Sequence, residues 1–416
     1  MGCELSKEQA EAYTEEFGSP LYIFHKEEFR KNCLDLLGSM RRIYPNYNIA
    51  YSFKTNYTPE IVSAVKELGG LAEVVSEMEY TLARRLGYEN KAIVYNGPVK
   101  GKALFEHLSL GGTANIDSLD ELETVLEFAR NNRDLPLKLA FRVNIDIGQG
   151  FVSRFGLDAY EEPAGDSELD RAFALVRTQP NIRITGLHCH IGKSRTIEAW
   201  KNRIRIMFRL IDRYFGEIPE FIDFGSGMNS VMEPSLARQF GSSIPDFDEY
   251  AETLAGAVRD RYASVPDSKK PLLCTEPGTT LISGCVSFLG SVVSVKTVKG
   301  KTFVTFDCSG GNLGDICRLK QLPVSVFHTG QQTVTVKDAV FAGYTCLEHD
   351  TLYEGFSGEI AVGDLVQFRN IGSYSNVFKP PFIAPDCAMI ALDENGIPFL
   401  IRRKETAADV FRTYLF

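Results

Sequence analysis

The chain has 416 residues, a formal net charge of −9, and 44% hydrophobic and 24% charged residues. That length accommodates one large domain and a smaller one, and the composition is that of a folded globular protein rather than a disordered one. The acidic balance argues against a nucleic-acid surface, and no apolar run reaches the roughly 18 residues that a membrane span needs, which leaves a protein that handles a small molecule.

At the N-terminus, Met1-Gly2-Cys3-Glu4-Leu5-Ser6 fits the N-myristoylation pattern with Cys3 beside it for a second acyl chain, but the pattern is short and no polybasic patch follows. Residues 21–24, Leu-Tyr-Ile-Phe, read as a strand. From residue 48 to residue 276 short apolar runs alternate with segments of helical period, the signature of repeated βα units and a parallel sheet. The strands are expected at 48–54, 71–76, 92–95, 113–116, 137–143, 184–190, 221–224 and 272–276, and amphipathic helices at 59–68, 77–86, 118–131 and 200–214. Eight strands with helical connections predict a (β/α)8 TIM-like barrel over 26–280. An open doubly wound sheet is the alternative if a weak strand is miscounted. After about residue 282 the texture becomes β-branched alternation, at 287–295, 302–306, 333–336 and 359–368 with a turn at Gly363-Asp364. This predicts a C-terminal β domain, a sandwich or barrel, over 281–416, to which the N-terminal strand within 1–25 adds.

A barrel of this kind carries its chemistry at the C-terminal ends of its strands. Lys54, Ser76, Asn96, Asp117, Asn144, His188, His190, Gly225 to Gly227 and Glu276 all fall at or near such ends. Lys54 ends the first run, where an amine in a pocket that depresses its pKa forms a Schiff base with an aldehyde. His188 and His190 share a strand face, but no third ligand stands at a recognisable metal spacing, so no metal is expected. Nine cysteines, odd in number and without CxxC spacing or a secretory leader, point to a reducing, cytoplasmic setting.

Tyr51-Ser52-Phe53-Lys54-Thr55-Asn56 resembles the Y-x-x-K-x-N signature of fold-type III pyridoxal phosphate (PLP) enzymes, and the order of the later motifs resembles the diaminopimelate/ornithine decarboxylase family. Those motifs are Glu73-Val74-Val75-Ser76, Asn96-Gly97-Pro98-Val99-Lys100, Asn115-Ile116-Asp117-Ser118, Arg154-Phe155-Gly156, Gly186-Leu187-His188-Cys189-His190-Ile191-Gly192, Asp223-Phe224-Gly225-Ser226-Gly227, Glu276-Pro277-Gly278, the segment from Cys346 to Asp350, and Gly372-Ser373-Tyr374. The resemblance implies a PLP-dependent amino-acid decarboxylase that works as a homodimer with shared active sites. It implies that Lys54 anchors the cofactor, His190 stacks on its ring, Glu276 faces the pyridine nitrogen, and Cys346 protonates the carbanion from the other subunit. Gly225, Ser226, Gly227, Gly278 and Tyr374 would lie about the cofactor phosphate.

Three departures bear on cofactor and substrate. Thr279 stands where the family has arginine after E-P-G; Lys193 stands where it has a serine near the phosphate and is expected to restore part of the lost charge. Leu347 follows Cys346 where those decarboxylases carry an acid for the distal amine of the substrate, which leaves Glu348 as a substitute or a substrate without that amine, as in conjugates of polyamine, siderophore or antibiotic pathways. Arg318 resembles the position that meets a substrate carboxylate, and Asp350 and Thr279 complete the expected substrate contacts. An amino-acid racemase and a non-catalytic regulatory relative are the competing readings.

Overall fold

The computed structural model describes residues 3–150, 152–160, 166–241, 244–378 and 381–416. The Met1-Gly2 part of the lipidation pattern lies outside the described residues. Two compact units emerge, Cys33–Asn229 with Ile244–Thr280, and Met1–Asn32 with Ser230–Ser243 and Leu281–Phe416.

The first unit is built from βα repeats. After helix α1 (Lys7–Phe17) and strand β1 (Leu21–His25) of the other unit, and helix α2 (Lys26–Ile43), its strands are β2 (Tyr47–Ser52), β3 (Leu71–Val74), β4 (Ile93–Tyr95), β5 (Thr113–Ile116), β6 (Leu137–Asn144), a two-residue β7 (Leu157–Asp158), β8 (Ile182–His188), β9 (Phe221–Asp223) and β10 (Leu272–Thr275). The sheet runs β5-β4-β3-β2-β10-β9-β8-β6-β7, and an additional β5–β6 pairing closes eight parallel strands into a barrel. The expected (β/α)8 barrel is therefore present, each of its strands within two residues of the run that predicted it.

Local sequence sets where each helix starts. Ser76 Oγ accepts from the Glu79 amide at the head of α4 (Glu77–Arg85), Ser118 Oγ from Glu121 at the head of α6 (Leu119–Asn131), and Thr196 from Ala199 at the head of α8 (Ile197–Tyr214). Pro59 opens α3 (Pro59–Glu67), where its missing amide has no intrahelical acceptor to lose. Ser76 and Ser118 stand two residues past β3 and β5, so those turns are short, whereas eight residues, His190 and Lys193 among them, separate β8 from α8.

The second unit is a nine-stranded mixed sheet, ordered β15-β14-β12-β11-β1-β17-β18, with β13 joined to β16 and β16 to β11. Its strands are β11 (Val286–Val298), β12 (Lys301–Phe306), β13 (Val324–Phe327), β14 (Val334–Ala342), β15 (Thr351–Ile360), β16 (Leu365–Phe368), β17 (Ala388–Leu392) and β18 (Pro398–Arg402). The N-terminal strand joins it as expected, antiparallel to β11 (Leu21↔Leu289) and parallel to β17 (Leu21↔Ala388). Leu5, Ala10, Tyr13, Leu21, Ile23, Leu289, Leu365, Ala388 and Ile390 form its buried cluster.

The division of the chain departs from 26–280 in two places. Residues 26–32 go with the β unit, where Asn32 Nδ2 donates to Leu281 O at 3.0 Å, and so do residues 230–243, where Glu233 holds the Arg369 guanidinium at 2.5 and 3.1 Å. The expected run 359–368 is two strands, because the Asp364 carboxylate accepts the Ala361 and Thr329 amides and turns the chain. No helix of the described residues is long and apolar enough to cross a membrane, and all nine cysteines are free thiols.

Candidate active site

Lys54 lies two residues beyond the end of β2, in a single 3-10 turn over Phe53–Thr55. Its Nζ donates to Glu73 Oε2 at 2.6 Å and to Ser52 Oγ at 2.7 Å, and Ser52 Oγ itself donates to the same Glu73 oxygen. Glu73 comes from the adjacent β3 and is fully buried, whereas Lys54 keeps 35% of its side chain accessible. The amine is thus held at the mouth of the barrel by a carboxylate beneath it.

A chain of amides runs from this pair across the barrel. Asn96, just past β4, donates Nδ2 to Glu73 Oε1 at 3.0 Å and also to Glu276 Oε1, while its Oδ1 accepts from Asn115 of β5 at 2.6 Å. Glu276 follows β10; its amide donates to Gly225 O at 2.8 Å and its Oε2 accepts from His188 Nε2 at 3.1 Å. Burial alone would raise the Glu276 carboxyl, but His188, with Lys54 and His190, holds it below the usual carboxylate range. Beside it Asp223 is driven far up, by burial and by the Glu276 charge, so of this coupled pair Asp223 keeps the proton and Glu276 is the anion.

His188, Asp223 and Glu276 bring three ligand atoms within 4.8 Å of one another. This is not the His188–His190 pair weighed from the sequence: it takes His188 alone, with carboxylates from strand β9 and the end of β10. The three side chains form a buried floor in which Glu276 Oε2 accepts from His188 Nε2 and Asp223 Oδ1 accepts the Gly225 amide, while Asp223 Oδ2 and His188 Nδ1 have no hydrogen-bond partner among the described residues.

His190 lies above that floor, its Nδ1 3.7 Å from Glu276 Oε2. Burial keeps its pKa well below the usual histidine value. Nδ1 accepts the Ser226 amide at 3.2 Å, and a backbone N–H only donates, so the single proton of the neutral ring is on Nε2.

The loop after β9 has positive φ at Gly225 (60°) and Gly227 (103°). A Cβ at Gly225 would lie 2.7 Å from Cys189 O, and one at Gly227 2.3 Å from Ile191 O, so only glycine lets this loop approach the one after β8. At Gly278 a Cβ would lie 2.1 Å from Thr55 Oγ1. Thr279 begins the short helix Thr279–Ile282, and Lys193 is exposed at the edge of a cavity of about 30 Å³ that His190, Asn144 and Ser194 also line. The Asn96 to Lys100 turn is braced from below, because buried Lys100 pairs with Glu121 at 2.6 Å and Glu121 also accepts the Asp117 amide.

The remaining predicted residues gather in the β unit. A cavity of about 260 Å³ is lined by Arg318, Leu347, His349, Asp350, Tyr374, Phe378 and Phe382, among others. Asp350 holds its wall together, accepting the Gly310 amide at 2.7 Å and the Thr345 amide and hydroxyl at 3.2 and 2.6 Å. Leu347 lines this cavity, while Glu348 lines an adjoining depression with Lys301 and Lys320 that shares Arg318, His349 and Thr351 with it. Cys346 is exposed on the same loop. Tyr374 takes a left-handed φ of 53°, and Gly314 packs against its carbonyl.

A family profile described as "Pyridoxal-dependent decarboxylase, pyridoxal binding domain" matches residues 31–283, which takes in the whole barrel and its strand-end cluster. The chain belongs to the pyridoxal-dependent decarboxylase family. Its cofactor is pyridoxal 5'-phosphate and its class is that of the lyases. It is 26% identical to a diaminopimelate decarboxylase of Bacteroides thetaiotaomicron over 86% of this chain and 91% of the relative. It is 25% identical to the L-glutamyl-[BtrI acyl-carrier protein] decarboxylase of Niallia circulans over 99% and 97%. Among solved structures, the diaminopimelate decarboxylase of Methanocaldococcus jannaschii in complex with L-lysine superposes with a TM-score of 0.85 at 23% identity, covering 98% of this chain and 94% of that one, a likeness of fold.

The residues present fit the cofactor. An amine on a mobile stem, a buried anion, a neutral half-buried imidazole and a glycine cradle are the donor set that an aldehyde, a pyridine nitrogen, a ring face and a phosphate call for. The sequence assigns no role to Glu73, Asn115 and Asp223, which appear there only within motifs, or to Asn96, which appears only within a motif and as a strand-end residue. Their signal was there, a carboxylate or amide inside a short, otherwise apolar barrel strand or at its end.

Proposed function

We propose that this decarboxylase removes the α-carboxylate of an amino acid, or of an amino-acid conjugate, whose distal end carries no free ammonium. Pyridoxal phosphate supplies an aldehyde that bonds an amine and a ring that accepts the electron pair left when carbon dioxide departs. Lys54 offers the amine, with Glu73 at 2.6 Å to take its proton. Ionised Glu276 would face the pyridine nitrogen and favour its protonated form, His190 would offer the ring a flat neutral face, and Gly225, Ser226, Gly227 and Gly278 would let the backbone approach the phosphate near Lys193 and Thr279. The exposed Cys346 thiol returns a proton to carbon.

The observation that carries the substrate class is Leu347. An apolar side chain lines the cavity with Phe378 and Phe382, and Glu348 lines the adjoining depression, across Arg318, His349 and Thr351, which border both. Of the acids in that wall, Asp350 has both oxygens occupied by three donors, and Asp315 is 4.0 Å from Arg318. Arg318 and His349 suit a neutral or anionic end group, and an ammonium there would lack a dedicated carboxylate. The carrier-linked glutamyl substrate named for the Niallia circulans relative is of this kind. We further propose that the chain acts as a homodimer, the Cys346 loop of one copy completing the barrel site of the other, in a reducing, cytoplasmic setting consistent with nine unpaired thiols.

The test is carbon dioxide release by the holoenzyme from diaminopimelate, ornithine and lysine, set against glutamyl thioesters and carboxylated polyamine or citrate conjugates. Release from the second group alone is expected, and Leu347→Glu should raise turnover of the first group. Preference for ornithine or lysine would overturn the substrate class. Exchange of enantiomers without carbon dioxide would identify a racemase, and a protein that binds no cofactor through Lys54 would be a regulator.

A further inference from the structure

We propose that Arg203 is the buried cation of the cofactor's phosphate site, a positioning residue that stands in for the arginine absent at Thr279. Arg203 lies on α8 and is fully buried. Its Nη1 donates to Phe224 O at 2.9 Å and Ser226 O at 2.8 Å, and its Nη2 to Ile191 O at 2.9 Å. The guanidinium also lies over the Trp200 ring, 4.3 Å from its centroid, and Trp200 Nε1 donates to Gly227 O at 3.4 Å. One helix face thus gathers the carbonyls of both loops that lead out of β8 and β9.

Two consequences follow from that geometry. In a trans peptide the carbonyl and the next amide point in opposite directions. The carbonyls of Ile191 and Ser226 turn toward Arg203, so the Gly192 and Gly227 amides turn away from it, and neither has a hydrogen-bond acceptor among the described residues. The Ser226 amide of the same loop donates to His190 Nδ1, and the loop comes this close because Gly227 has no Cβ, which would strike Ile191 O. An array of outward amides backed by inward carbonyls is an anion nest.

The second consequence concerns charge. Among the described residues no carboxylate lies within 4 Å of the Arg203 guanidinium, and its Nε has no acceptor. A guanidinium so deeply buried is costly unless an opposite charge answers it, and burial lowers its pKa. Carbonyl dipoles and a ring face answer part of that cost. The phosphate on the far side of the nest answers the rest, so the cation that polarises the loop also draws the dianion to it. Exposed Lys193 cannot do this as well, because solvent screens it.

The inference rests on the reading that the Gly225 to Gly227 loop takes the cofactor's phosphate, and the experiment separates the two. Dissociation constants for pyridoxal 5'-phosphate and for pyridoxal are measured on apoprotein by equilibrium dialysis, with folding followed by circular dichroism. In Arg203→Met the preference for the phosphorylated form should fall about tenfold or more with pyridoxal binding unchanged, and Thr279→Arg placed in that variant should restore it. Arg203→Lys, which keeps the charge and loses the fork, should hold the preference within about threefold. If the preference survives in Arg203→Met but is lost in Gly227→Ala, the loop is the phosphate site and Arg203 is a brace only. If it survives in Gly227→Ala too, the phosphate lies elsewhere. Should Arg203→Met fail to fold, a folded Arg203→Lys that loses the preference tenfold would overturn the proposal by itself.

Discussion

Glu73 shows how one side chain changes the reading of another. A lysine meant to act as a nucleophile must shed a proton, and Lys54 has its nearest proton acceptor 2.6 Å away on a fully buried carboxylate. Asn96 reaches the second oxygen of that carboxylate and also Glu276, so the group that serves the amine and the group assigned to the pyridine nitrogen are fixed by one shared amide. Glu73→Gln keeps the shape and one carbonyl acceptor but has no basic oxygen to take a proton. Carbon dioxide release is expected to fall by about 10²–10⁴-fold, while the visible band of bound cofactor still forms, more slowly than in the parent protein. Stopped-flow absorbance with a carbon dioxide assay checks both; full activity in Glu73→Gln would remove the acid–base role.

At the scale of elements, legibility tracked how strongly a segment is constrained by its own neighbours. The barrel strands were readable because each is a short apolar run ended by a cap such as Ser76 or Ser118. β13, β17 and β18 were not: β17 is a short apolar run with no capped helix after it to mark a repeat, and β18 begins on Pro398 with half-exposed side chains. Within the site, Lys54, His190 and Glu276 were legible as strand-end residues. Arg203 was hidden as one charge in the polar pattern of α8, and only the turned carbonyls reveal which way it points. A pH effect also belongs to this scale. His107 of α5 (Ala103–Ser109) packs edge-on to Tyr80 and Tyr95, and Gly112 leaves room for its ring. Its Nε2 donates to Thr113 O and its Nδ1 is buried without a hydrogen-bond partner, so a second proton would be an unpaired buried charge; burial pushes its pKa down to about 4. A base with a lowered folded pKa stabilises fully above its unfolded value near 6.5 and loses that contribution as pH falls toward 4. The loss is about 1.4 kcal/mol per pH unit. Denaturant titrations at pH 7, 5.5 and 4.5 should show this slope, reduced in His107→Gln; an unchanged slope in that variant would place the acid sensitivity elsewhere.

At the scale of the molecule, the question is whether one chain holds a complete site. Lys54, Glu276 and the Gly225 to Gly227 loop belong to the barrel unit, whereas Cys346, Arg318, Leu347 and Tyr374 belong to the β unit. If two copies exchange the Cys346 loop, a chain lacking Lys54 and a chain lacking Cys346 are each inactive alone but complementary when mixed. In Lys54→Ala:Cys346→Ala heterodimers, one of the two sites carries both defects and the other carries none. Random re-assortment makes about half of the dimers heterodimeric, so an equimolar mixture should regain about a quarter of the parental activity. The recovery should follow the time course of subunit exchange and vanish when the variants are mixed under conditions that prevent it. Sites completed within a single chain would yield no recovery at any mixing ratio, because every site would then carry one of the two lesions.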